Sequence, residues 1–186
     1  MDQLVQELLR DGVSEATVDL ASRRGGDTEG HATRYKTYYR LASDAAYGVL
    51  LVRDGPDAPR QGPEEYLEQE ASNLARLRAA GYDVPESSVV FRVADQLAAV
   101  DAAALVVEHI EGLGPYKAIT QVRAIRALIS HAPQDVGSRY RENWNRLRAL
   151  SAVMAPRDHQ VMLSEDGRIV TIDVEQVGSG RDLPSL

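Results

Sequence analysis

Asp158, Gln160 and Asp173 are the residues of this chain whose types and spacing best suit chemistry. They flank two short apolar runs, Val161 to Leu163 and Ile169 to Val174, joined by Glu165-Asp166-Gly167-Arg168. The runs are largely β-branched, and Asp-Gly is the signal of a tight connection, so the segment predicts a β-hairpin. A hairpin brings its outer ends together, and here two carboxylates and an amide come with them. Hard oxygen ligands meeting at one place suit Mg²⁺ and, through it, phosphate oxygens. The same pattern also arises when Asp158 caps a turn and Asp173 simply ends a strand.

Other chemistries fit less well. Cysteine is absent, so a thiol nucleophile and a cysteine zinc site are excluded and no oxidising compartment is needed. His31, His109, His131 and His159 are scattered without the spacing of a helical zinc site. Neither Ser151 nor Ser164 sits on a glycine elbow, which leaves a serine nucleophile without its usual support.

Those candidate ligands must be positioned by the rest of a 186-residue chain, enough for one domain or for two small lobes sharing a cleft. The formal charge of −7 disfavours nonspecific nucleic-acid binding, which depends on neutralising phosphates. Acids and arginines interrupt every apolar run near the start, and no run is long enough to cross a bilayer, so a cytoplasmic protein is expected. Of the 21 basic residues only Lys36 and Lys117 are lysines.

Periodicity predicts a short amphipathic helix over Asp2 to Arg10, then strands over Thr17 to Ala21, Thr33 to Leu41 and Tyr47 to Arg53. A glycine-rich turn containing Gly25, Gly26 and Gly30 separates the first two strands. A long helix is predicted over Pro63 to Ala80, with Leu67, Ala71, Leu74 and Leu77 as its apolar face and Glu70 between two of them. An acid on the edge of a core face needs a cationic partner. Strands over Ser88 to Val93 and Ala104 to Ile110 complete a sheet of about five strands. Two helices, Ile119 to Ser130 and Val136 to Ala155, then precede the 158–175 hairpin. The fold class is α+β, with a β-rich part over 1–112 and a smaller helical part over 113–186.

This order of elements resembles the protein-kinase-like fold, nearest its aminoglycoside and small-molecule phosphotransferase branch. Tyr66 to Pro85, Leu105 to Gly112, and Asp166-Gly167-Arg168 through Glu175 carry the resemblance. It implies ATP and Mg²⁺ as cofactors. Asp173 and Gln160 fall where the family places its metal-binding Asp and Asn. Glu70 matches the helix glutamate that pairs with a strand cation, which would be Arg53, and Leu51 on the same face would roof the adenine. Whether Arg53 or Lys36 faces the phosphates turns on a one-residue register. Glu108 and His109 would form the interlobe linker that reads the adenine edge, and Gly25, Gly26 and Gly30 would approach the phosphates.

The departures are equally specific. The family's loop runs H-x-D-x-x-x-x-N, so with Gln160 at the amide position the base would fall at Ala155, which accepts no proton. Asp158 is the nearby carboxylate: it could be the base in a shortened loop, bind metal, or do neither. Eleven residues follow Glu175, so the helical region that binds the acceptor in antibiotic kinases is expected to be missing. Two functions result: an ATP- and Mg²⁺-dependent phosphotransferase acting on a small molecule or peptide, or a pseudokinase that binds a protein or peptide partner completing the short second lobe.

Overall fold

In a computed structural model, residues 1–25 and 35–186 are described. Contacts divide the chain into two units, Met1–Ala71 with Glu86–His109 and Ser72–Pro85 with Ile110–Leu186. In the first unit, helix α1 (Asp2–Asp11) buries Leu4, Val5 and Leu8 along one stripe and stops at Gly12, whose φ of +70° suits glycine. Strands β1 (Val18–Gly25), β2 (Lys36–Leu41), β3 (Tyr47–Arg53), β4 (Phe91–Asp95) and β5 (Val100–Glu108) form one antiparallel sheet in the order β1-β2-β3-β5-β4. Helix α2 (Pro63–Ala79) begins with a proline, whose missing N–H costs a helix nothing at its first position, and carries Glu64 and Glu65 where the dipole favours acids.

Alternation gives this sheet two faces with different partners. Tyr39, Leu41, Val49, Leu51, Ala102, Ala104 and Val106 pack with the apolar stripe of α1. Val52, Ala103, Leu105 and Val107 pack with Leu67 of α2. β3 and β5 thus have burial on both sides, which is why their sequences are almost continuously apolar.

The second unit contains β6 (Gly112–Lys117), α3 (Val122–His131), α4 (Gln134–Val153), β7 (Met154–Pro156), β8 (Gln160–Ser164), β9 (Ile169–Ile172) and β10 (Val177–Ser179). The expected hairpin is β8 against β9, with Gly167 in its turn at φ +92°. β6 joins it in the order β6-β8-β9, and β7 pairs with β10. At Gly112 a Cβ would lie 2.1 Å from the Leu163 carbonyl oxygen, so only glycine allows that approach. Trp144, fully buried, anchors the core of this unit with Leu74, Leu77, Ile125, Leu147 and Val161. Among the described residues no helix is long and apolar enough to cross a membrane.

Candidate functional site

In the first unit, Lys36 opens β2 on the face that α2 covers. Its Nζ lies 2.8 Å from Glu70 Oε2, and both side chains are almost wholly buried, at 5% and 3% exposure. Tyr66, one helical turn before Glu70, places its ring centroid 5.9 Å from the same ammonium, within cation–π reach. Glu70 therefore does find a strand cation, but on β2. Arg53, the partner expected from the sequence, instead holds Asp95 through a 2.7 Å Nε–Oδ2 contact. The physical reason is register: Lys36 is paired with Val52, so Arg53, the next residue along β3, leaves the opposite face. Leu51 leaves that face too and is fully buried against the α1 cluster, so it cannot roof a base on the Lys36 face.

Gly25 ends β1 opposite Thr37. Gly26 and Gly30, with the start of the strand expected at Thr33, lie outside the described residues. Glu108 and His109 stand at the end of β5, where their backbone N–H groups donate to Glu86 O and Ala46 O, each at 2.8 Å. These two donors are thus already engaged within the unit. Tyr38, on the Lys36 face, stacks on His109 at 6.0 Å and 21°, with its hydroxyl 2.7 Å from Nδ1. Its ring lies so close over Gly48 that a Cβ there would be 2.3 Å away. Burial pushes the Tyr38 phenol up to about 12, which keeps it protonated at neutral pH. The sequence reading missed this contact, although a glycine inside a strand is a signal of close approach.

In the second unit, the hairpin does gather its polar ends. Gln160 Nε2 donates to Asp173 Oδ2 at 2.7 Å and lies 3.3 Å from Asp158 Oδ2. Lys117, at the end of β6, brings its Nζ to 3.4 Å from Asp158 Oδ1. No residue pattern near Lys117 pointed to that placement, because it follows from β6 pairing with β8. Asp173 has φ +56°, a left-handed conformation that a non-glycine residue adopts at a cost of about 1–3 kcal/mol. Asn73 helps to hold the chain just beyond it: its Nδ2 donates to Val174 O at 3.2 Å and Glu175 O at 2.9 Å. Asn73 lies three residues after Glu70 on α2, a spacing that could have singled it out. On the other side, the Arg157 N–H donates to Gln176 O at 2.9 Å.

His159, in the short connection between β7 and β8, is buried while its neighbour Asp158 is exposed. Its Nδ1 and Nε2 lie 3.3 Å from Ser151 Oγ and Thr171 Oγ1, and burial lowers its pKa from 6.5 to about 4. The unfolded chain therefore takes this proton first, so the contribution of neutral His159 is complete above about pH 6.5 and is lost as pH falls toward 4. At about 1.36 kcal/mol per pH unit that gap is worth roughly 3 kcal/mol. Urea denaturation at pH 7 and 4.5 should show a smaller loss of stability in His159→Gln than in the wild type. Equal losses would place the acid sensitivity elsewhere.

The donor set suits Mg²⁺. Asp158 and Asp173 offer carboxylate oxygens on either side of Gln160, whose amide nitrogen faces both, and Mg²⁺ characteristically takes one or two carboxylates and completes its shell with waters and substrate phosphates. Among the described residues no group of three or more His, Cys, Asp or Glu side chains is arranged to hold a metal alone.

No protein-family model matches the sequence, and no curated protein matches it. Solved structures do match. A Stt7 homolog from Micromonas algae soaked with ATP aligns over 86% of this chain and 51% of its own, with a TM-score of 0.51 and 14% identity. WaaP in complex with acyl carrier protein aligns over 83% and 63%, with a TM-score of 0.42 and 15% identity. WbdD aligns over 84% and 33%, with a TM-score of 0.45 and 14% identity. The chain thus spans about half the length of the Stt7 homolog. At this identity the likeness shows the fold alone: α+β and kinase-like.

Proposed function

We propose that this chain is an ATP- and Mg²⁺-dependent phosphotransferase-like protein acting on a small molecule or a peptide, nearest the small-molecule branch of the kinase-like fold and working in the cytoplasm. The observation that carries the reading is the cluster at the end of the β8–β9 hairpin, where Gln160 stands between Asp158 and Asp173. Asp173, and Gln160 through its amide oxygen once that amide turns, would hold the metal, which when bound supplies charge neutralisation on phosphate oxygens. Lys36, held by Glu70, supplies a cation for the phosphates, a role that passes to it from Arg53. Gly25 approaches the phosphates, and the segment at Glu108 and His109 meets the base. In the transfer, an acceptor hydroxyl oxygen bonds to the terminal phosphorus as the bridging P–O bond of ATP breaks. The hydroxyl proton passes to Asp158.

Thermal unfolding with ATP, with and without Mg²⁺, tests this. At a hundredfold excess over Kd, a ligand of the native state adds about 2.7 kcal/mol. For a chain of this size that raises Tm by roughly 5–10 °C. Wild type should show the rise only with Mg²⁺, and Asp173→Ala should lose it; an unmoved wild-type Tm sinks the nucleotide reading.

A second reading, a catalytically impaired module that holds a protein or peptide partner, is favoured by the loop itself. Only Asp158 and His159 separate Arg157 from Gln160, and His159 is buried at 2% exposure. Asp158 alone then remains to act as base in that loop.

A further inference from the structure

Lys117 has no assigned role in the reading above, yet its position is tightly fixed. It is the register partner of Gln160 across β6 and β8, so the two side chains leave the same face of that sheet. The next residue, Ala118, donates its N–H to His159 O at 2.8 Å. Gln121 secures the backbone of Lys117 from both sides: its Oε1 accepts the Lys117 N–H at 2.7 Å, and its own N–H donates to Lys117 O at 2.9 Å. The end of β6 is thereby bound to the segment that carries Asp158 and Gln160. The Lys117 side chain itself is 54% exposed and meets Asp158, 47% exposed, at 3.4 Å.

An ion pair this exposed contributes at most about 1 kcal/mol to stability. Its consequence is electrostatic. The two carboxylates of the cluster, Asp158 and Asp173, are matched by one divalent cation, and the Lys117 ammonium is then the charge left over. Its three N–H donors stand beside the carboxylate that would take the acceptor's proton, where a phosphate oxygen can replace Asp158 as their partner.

We propose that Lys117 is a phosphate-binding residue, contacting the terminal phosphate of the nucleotide when the metal occupies Asp173 and Gln160. This rests on the nucleotide reading. Calorimetric titrations of wild type, Lys117→Met and Lys117→Arg with MgATP and with adenosine, alongside the Tm of each free protein, test it. Loss of a charge-assisted hydrogen bond should weaken MgATP about ten- to a hundredfold in Lys117→Met. Adenosine affinity and Tm should hold, and Lys117→Arg should recover most of the MgATP affinity. Unchanged MgATP binding in Lys117→Met overturns the assignment while leaving the nucleotide reading in place. Equal losses for MgATP and adenosine overturn it too, since they mark a structural role. A wild type that binds neither probe removes the nucleotide reading and Lys117's role together.

Discussion

Replacing Lys36 by methionine is expected to lower the free energy of unfolding by about 3–5 kcal/mol, the usual result of removing one member of a buried ion pair. The pair is 2.8 Å long and has 5% and 3% exposure, so water does little to compensate the Glu70 carboxylate once the ammonium is gone. The contact with the Tyr66 ring is lost at the same time. A loss below about 1 kcal/mol by urea denaturation would assign the pair the weight of an exposed one. Because Lys36 and Val52 are register partners on one face, the exchange Lys36→Val with Val52→Lys presents the cation to the same helix from the neighbouring strand. That double variant should regain more than half of the loss. Arg53 does not replace the lost cation, since it is committed to Asp95 on the other face.

Asp158→Asn is expected to slow ATP turnover by about 10²- to 10⁴-fold, the effect of removing a positioned general base. The substitution keeps the shape of the side chain and a polar neighbour for Gln160, so MgATP affinity should change little. Asp173→Ala, which removes a carboxylate expected to hold the metal, should instead abolish Mg²⁺-dependent binding. The contrast separates the two functional readings. Turnover that survives Asp158→Asn unchanged would remove Asp158 from the chemistry. A wild type that binds MgATP but shows no turnover above the uncatalysed rate is the binding module.

Much of the fold was legible because its signals are local. The stripe of Leu67, Ala71 and Leu74 marked α2 and set Glu70 at its edge, since a period of 3.6 residues is enough to fix which residues share a helix face. The apolar runs of β8 and β9 and the Asp-Gly turn identified the hairpin, and with it the meeting of Asp158, Gln160 and Asp173. β6 was not legible: Gly112-Leu113-Gly114-Pro115-Tyr116-Lys117 has the composition of a loop, and it becomes a strand only because β8 offers it a partner. Lys117 was hidden for the same reason, lying 43 positions from the Gln160 it faces. The burial of His159 was not legible either, because it lies in the connection before β8, where no strand period applies.

The sequence by itself determined which residue types could do chemistry, the order of elements that carries them, and the need of Glu70 for a cation. Only the tertiary structure decided which cation answers. Lys36 and Arg53 lie on neighbouring strands, and composition does not tell them apart. The side chains of a strand alternate with a period of two, so a single register between β2 and β3 sends Lys36 toward α2 and Arg53 toward Asp95. The same register puts one apolar face of the sheet against α1 and the other against α2.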